Sequence, residues 1–316
     1  MQTILGAGGD VGADLADELR NRGIPVRLAS RHAVKKNPND DVVTVDVLEK
    51  TDVERAVNGS EVVYLTVGFP YSAKVWEHSW PVAMANVLEA CAQYSARLVF
   101  LDNIYMLDPQ GLPSMNESTP YRPVSRKGKV REQVAQMLET AVQNGQVQAL
   151  TARSADFYGP NCQHSVLIEM AVRNLVQGKP ALVPASATTR HNYTFVPDLA
   201  KALAILGQDP TAIGQVWHLP TARPALTGHD WVQLIAAEAA VSPRYRVVPA
   251  WALRAMGLVS TQLRELGEML YQYERDYEFD SSKFEKRYQF TATPPTEAVK
   301  HIVSQQSKRL QAPSKR

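Results

Sequence analysis

Apolar positions change their spacing in a regular way along the first half of the chain. Residues 2–5 are a short apolar run that stops at Gly6. Val11, Leu15 and Leu19 then recur at helical spacing over 10–20. Residues 24–29, 42–45, 61–67, 97–101 and 147–153 read as further strands, and 52–57, 75–94 and 128–142 as helices. Pro81 implies a kink in the second of these helices, or a late start to it. Strands alternating with helices over short connections predict βαβ units and a parallel sheet. After Arg153 the pattern loosens. A helix is expected over 166–176, ending at Gly178, and a strand over 193–196. A turn at Pro197-Asp198, a helix over 199–206 and a strand over 215–219 follow. From Asp230 onward the chain reads as mostly helical, with prolines between the helices.

The first strand runs directly into Gly6-Ala7-Gly8-Gly9-Asp10-Val11-Gly12, and the first helix opens there. In the register G-x-G-x-x-G from Gly6 the third glycine falls on Val11 and fails; G-x-x-G-x-x-G holds at Gly6, Gly9 and Gly12. No Gly-Lys-Ser/Thr follows, so a mononucleotide phosphate loop is excluded. A tight strand-to-helix turn needs positive φ and room for close backbone approach. The helix N-terminus then offers free N–H groups and a positive dipole end to phosphates. The reading is a dinucleotide site at Gly6, Gly9, Asp10, Val11 and Gly12, on an α/β Rossmann-type doubly wound parallel sheet. A smaller, mostly helical substrate lobe accompanies it. Residues 1–160 with about 191–219 form the nucleotide domain, and about 161–190 with 220–316 the lobe, expected to close over substrate.

Strand two ends Leu28-Ala29-Ser30-Arg31-His32, with no carboxylate until Asp40. An acidic residue at that position would hold the adenosine ribose hydroxyls and repel a 2′-phosphate, whereas an arginine welcomes it. Ser30 and Arg31, with Lys35 and Lys36 nearby, point to NADP(H). Asp46, ending strand three, either accepts from the adenine amino group or caps the next helix.

The charge balance changes little in this picture. The 316 residues carry a formal net charge of +2, so no global field points to nucleic acid or to a membrane surface. Lys308, Arg309, Lys315 and Arg316 read as a solvated tail. No apolar stretch approaches the ~20 residues of a membrane span. Cys91 and Cys162 cannot build a disulfide framework or a zinc site alone. No leader-like stretch precedes the glycines, and a cytoplasmic protein with reduced thiols is expected.

The glycine spacing and Asp46-Val47 resemble the extended short-chain dehydrogenase/reductase family of sugar-nucleotide epimerases, dehydratases and related reductases. So do Arg153 with Phe157-Tyr158-Gly159-Pro160, the run Tyr193 to Ala200, and Phe279-Asp280-Ser281-Ser282-Lys283-Phe284. The resemblance implies that Val47, Thr66, Lys129 and Tyr158 join the cofactor set. It also implies a Y-x-x-x-K acid–base pair on the helix after strand five, preceded by a serine or threonine. Here that segment is Ser125-Arg126-Lys127-Gly128-Lys129, so Ser125 stands for the tyrosine and Lys129 for the lysine. The usual serine pair has become Asp102-Asn103. The chain thus looks like an atypical member of the family.

An aliphatic hydroxyl is far less acidic than a phenol, so Ser125 suits substrate or water binding better than proton transfer. Asn103 can donate to a carbonyl. Tyr105, just after strand five, is the first choice as proton donor and Tyr158 the second; His164 and His191 have the right chemistry, and Arg190 suits an anionic group. The expected function is an NADP(H)-dependent oxidoreductase or epimerase acting on a small carbonyl, hydroxyl or sugar-nucleotide substrate. The alternative is an NADP(H)-sensing protein without turnover, or a scaffold. Dimerisation, where it occurs, would pair the helices 75–94 and 128–142.

Overall fold

Every residue of Gln2–Leu5 is buried, and the stretch forms β1 inside a parallel sheet. The structure, a computed structural model, describes residues 1–35, 37–162, 165–257 and 260–311. Lys36, His164, Lys315 and Arg316 lie outside the described residues. The chain continues through α1 (Gly12–Asn21), β2 (Val26–Ser30), β3 (Asp41–Thr44), α2 (Lys50–Val57) and β4 (Val62–Leu65). Then come α3 (Ala73–Gln93), β5 (Arg97–Asp102), α4 (Arg126–Gln143) and β6 (Ala149–Arg153). A last strand, Val216–His218, completes a seven-stranded sheet in the order Val216–His218, β6, β5, β4, β1, β2, β3. All of its pairings are parallel. The chain winds outward from β1 to β3, then returns beside β1 with β4 and winds the other way. This is the expected Rossmann-type doubly wound sheet. Its switch point lies between β1 and β4, where such sheets open a crevice beyond the strands' carboxyl ends.

Two compact units divide the chain. The first comprises Met1–Asp108, Pro120–Ser154 and Pro197–Leu219; the second comprises Pro109–Thr119, Ala155–Val196 and Pro220–Arg316. The expected boundaries differ at 109–119, 155–160 and 191–196. Strand pairing explains the difference. Asp156–Tyr158 pairs in parallel with Tyr193–Phe195, and Met115 bridges to Phe279, all within the second unit.

In the first unit, Trp76, Trp80, Met84 and Val87 of α3 and Val130, Val134 and Leu138 of α4 share one core with Val63, Leu65, Leu98 and Phe100. Each large apolar side chain so buried contributes about 1.5–3 kcal/mol relative to exposure. That packing overrides Pro81. α3 begins at Ala73 and runs through the proline, so the late start is not taken. Cys91 lies in the same core, and burial pushes its thiol up to about 12.

The second unit has small parallel and antiparallel strand pairs, including Ala181–Pro184 with Tyr245–Val248. The stretch expected as one helix over 166–176 is a wide π-helical turn, Leu167–Val172, running into Arg173–Val176. Gly228–Glu238 starts at a capping box in which Thr227 and Asp230 satisfy each other's backbone N–H groups. Those bonds hold the Asp230 carboxyl below its usual range. The helix expected at 199–206 begins at Val196; Pro197 fits its first turn, where its missing N–H costs nothing. No helix among the described residues is long and apolar enough to cross a membrane.

Candidate functional site

The glycine turn is as tight as its spacing implies. Gly6 has φ +103°, and a Cβ there would lie 2.8 Å from the Thr66 carbonyl carbon and the Val67 nitrogen. A Cβ on Gly12 would lie 2.5 Å from the Gly6 carbonyl oxygen and 2.7 Å from Ala7 Cα. Gly9 N–H donates to that same oxygen at 2.9 Å. Gly8 is different: its Cβ would meet only Ser30 Oγ, at 3.6 Å. The turn therefore demands Gly6 and Gly12, crowds Gly9 and tolerates a side chain at Gly8. α1 opens after Val11, whose side chain makes no capping hydrogen bond. Its first N–H groups and positive dipole end can meet an anion.

Ser30 ends β2, and its Oγ is buried without a hydrogen-bond partner among the described residues. Arg31 beside it is exposed, as is Lys35. Thr66 donates its hydroxyl to Leu5 O at 3.1 Å, fixing the β1–β4 seam behind the turn. Asp46 does not cap α2, whose N-cap is Glu49. Its Oδ1 accepts from Leu48 N at 3.0 Å. Val47 has its side chain in the core, so only its backbone remains available to a ligand.

The mouth of β5 and α4 is organised around a buried carboxylate. Asp102 accepts hydrogen bonds from the Arg131 guanidinium and stands 3.6 Å from Arg153, which is fully buried. Arg153 also donates to Tyr121 Oη at 3.0 Å. Burial works against its charge, but Tyr121 and Asp102 outweigh it and its affinity for the proton rises. Burial pushes the Tyr121 phenol up to about 12. Arg131 lies over the Trp80 ring, 4.1 Å from its centre. Asp102 therefore ties α4 and β6 to β5. Asn103 Oδ1 accepts from Tyr105 N at 3.0 Å, shaping the turn that presents Tyr105.

The structure gives Ser125 and Lys129 distinct places at the start of α4. Ser125 is its N-cap: the Oγ accepts from Gly128 N at 2.9 Å, and the residue is 3% exposed. Its hydroxyl serves the helix, as an N-cap serine does. Lys129 is exposed, whereas Lys127 is fully buried, with its Nζ 4.6 Å from the Tyr71 ring centre. Two residues apart, the two lysines leave opposite faces of the helix. Tyr71 Oη and Tyr105 Oη are 3.2 Å apart, and Tyr105 stacks on Trp76 with ring centres 6.0 Å apart. A Cβ on Gly128 would lie 2.4 Å from Tyr105 O, so the glycine lets the first turn of α4 press against this loop.

Neither Tyr71 nor Lys127 stood out in the sequence. Lys127 had a signal, since it continues the buried stripe of Val130, Arg131, Val134 and Leu138 at helical spacing. Tyr71, in a loop, had none.

In the second unit, Tyr158 is 1% exposed and packs among Tyr193, Phe195 and Trp231. Its side chain belongs to the core of that unit. Cys162 is buried. His191 stacks between Tyr273 and Tyr277, and its Nε2 lies 3.1 Å from Asp156 Oδ2. Arg190 pairs with Glu278 on the surface.

Residues 3–219 match the family described as the NAD dependent epimerase/dehydratase family. The chain is similar to a UDP-N-acetyl-alpha-D-glucosaminuronate decarboxylase of Bacillus cytotoxicus, at 23% identity over 67% of this chain and 72% of that protein. Its fold is similar to the crystal structure of a Thermus thermophilus UDP-glucose 4-epimerase complexed with NAD (TM-score 0.76, 21% identity, 97% of this chain and 99% of the other). It is also similar to a Thermotoga maritima UDP-glucose 4-epimerase solved with UDP-glucose (TM-score 0.79, 14% identity, 98% and 100%).

Proposed function

The chain belongs to the NAD-dependent epimerase/dehydratase family, and we propose that within it this protein is an NADP(H)-dependent oxidoreductase or epimerase acting on a sugar nucleotide or a related carbonyl or hydroxyl compound. The glycine turn carries the reading. It is a cradle that a Cβ at Gly6 or Gly12 would fill, opening a helix whose N-cap residue, Val11, makes no capping hydrogen bond through its side chain. The pyrophosphate would be held by the backbone from Gly9 to Gly12. The buried, unpartnered Ser30 Oγ and the exposed Arg31 would hold a 2′-phosphate. Asp46 retains a carboxylate oxygen for the adenine, and Thr66 and the Val47 backbone line the approach. A nicotinamide dinucleotide bound here supplies hydride donation and acceptance. The chain itself must bind and orient the substrate, exclude water and move the proton. The sugar-nucleotide relatives support a substrate of that class.

Calorimetric titration with NADPH and NADH tests the cofactor assignment. The wild type is expected to prefer NADPH. Loss of one charge-assisted phosphate contact is worth about 1.5–3 kcal/mol, so Arg31→Asp should cut the NADPH/NADH preference by roughly 10–100-fold. An unchanged ratio would sink the NADP assignment. Binding without turnover across a panel of UDP-sugars, aldehydes and ketones would favour the sensing role.

A further inference from the structure

Three groups from different elements of the first unit meet off the carboxyl ends of β4 and β5. Tyr71 follows β4, Tyr105 follows β5, and Lys127 sits in the first turn of α4. The phenol oxygens are within hydrogen-bond distance of each other at 3.2 Å, and the Lys127 ammonium stands over the Tyr71 ring. Trp76 walls the group, edge-on to Tyr71 and stacked on Tyr105. β4 is the direct neighbour of β1, whose end carries the glycine turn.

Resting on the function proposed above, we propose that Tyr71 is the residue that exchanges the proton with the substrate oxygen, with Lys127 supplying the charge that stabilises its phenolate and Tyr105 holding its hydroxyl in place. The geometry separates the roles. Tyr71 is 41% exposed, so a ligand can reach it. Tyr105 is half-buried against Trp76 and suits a positioning role. Lys127 is fully buried with its charge against an aromatic face, an arrangement in which electrostatic effects are stronger than in water. When a substrate carbonyl carbon takes up hydride, its oxygen takes the proton of Tyr71. The phenol O–H bond breaks as the substrate O–H bond forms, and the phenolate left behind recovers a proton from solvent at its exposed face. Oxidation of an alcohol runs the same transfer backwards. A cation already fixed over the ring into which the phenolate's charge spreads needs no reorganisation during the reaction.

The decisive measurement needs no substrate. Phenolate absorbance is recorded against pH for Tyr105→Phe and for Tyr71→Phe/Tyr105→Phe, and their difference isolates Tyr71 from its hydrogen-bonded partner. The same pair is then measured in a Lys127→Met background. The Tyr71 signal should move to higher pH when the lysine charge is removed. Coincident curves would overturn the proposal, and a shift produced by Lys129→Met in place of Lys127→Met would overturn the lysine assignment. Circular dichroism establishes that each variant is folded. NADPH affinity, measured alongside, tests the underlying reading separately: a wild type that binds no NADPH defeats the proposed function, whatever the phenol does. With a sugar nucleotide that the wild type turns over, Tyr71→Phe should lower kcat about 100-fold or more while the Kd for NADPH stays put. An unchanged kcat would overturn the assignment of Tyr71.

Discussion

Two helices of the first unit begin beyond the carboxyl ends of sheet strands, and their first turns are finished in opposite ways. α1 follows β1 through a turn so crowded that two of its glycines have no room for a methyl group, and its N-cap residue, Val11, makes no capping bond through its side chain. α4 follows β5 after a long loop, and Ser125 closes its N-terminus from within. The first helix end keeps its N–H groups for a ligand. The second spends one on a serine and projects side chains instead, with Lys127 and Arg131 leaving one face a turn apart. A serine four residues before a lysine resembles a reactive pair. Here the serine's position is accounted for by helix geometry. An identical short motif can therefore mark a helix start or a catalytic group, and only the partner of the hydroxyl distinguishes them.

The sharpest way to break the contrast is at the anchor of α4. Asp102→Ala would leave Arg131 and Arg153 buried without their carboxylate. Removing one partner of a buried ion pair costs about 3–5 kcal/mol, to be read from urea unfolding. A loss under about 1 kcal/mol would mean that the cluster is solvated and not an anchor. Next is the open end. Gly12→Ala forces a methyl group onto the Gly6 carbonyl, and overpacking of this kind costs about 1–3 kcal/mol. NADPH binding should be lost with it, checked by fluorescence titration. Third, Ser125→Ala should lower stability by about 1 kcal/mol, the usual worth of an N-cap, and leave the Kd for NADPH within twofold of wild type (about 0.4 kcal/mol). A collapse of NADPH affinity would place Ser125 in the binding site. The smallest effect should come from Gly8→Ala. Its methyl would make only an ordinary contact at 3.6 Å, so the change should stay within about 0.5 kcal/mol. A loss as large as that of Gly12→Ala would contradict the G-x-x-G-x-x-G register.

Much of the first unit was legible because its signals are local. A run such as Gln2–Leu5 followed at once by glycine declares a buried strand and a tight turn, and the alternation that follows declares a parallel sheet. Strand ends came within a residue or two for β1, β3 and β5. The second unit was read less well for a physical reason. Its strands are two to four residues long and pair with partners far along the chain, as Asp156–Tyr158 does with Tyr193–Phe195. No periodicity builds up over three residues. Tyr158 illustrates the consequence: beside Gly159-Pro160 it reads as a loop residue near a ligand, and in the structure it is walled in by aromatic rings.

The sequence alone determined the glycine turn and its register, because a backbone that must fold tightly and approach a phosphate has one residue type to do it with. It also determined the basic end of β2 at Ser30-Arg31. Only the tertiary structure decided that Lys127, not Lys129, meets a phenol, and that Tyr71 and Tyr105, 34 residues apart, bring their hydroxyls together. The reason is the order of the strands. Placing β4 and β5 side by side brings the loops that follow them to one edge, and no pattern within either loop records which neighbour it will have.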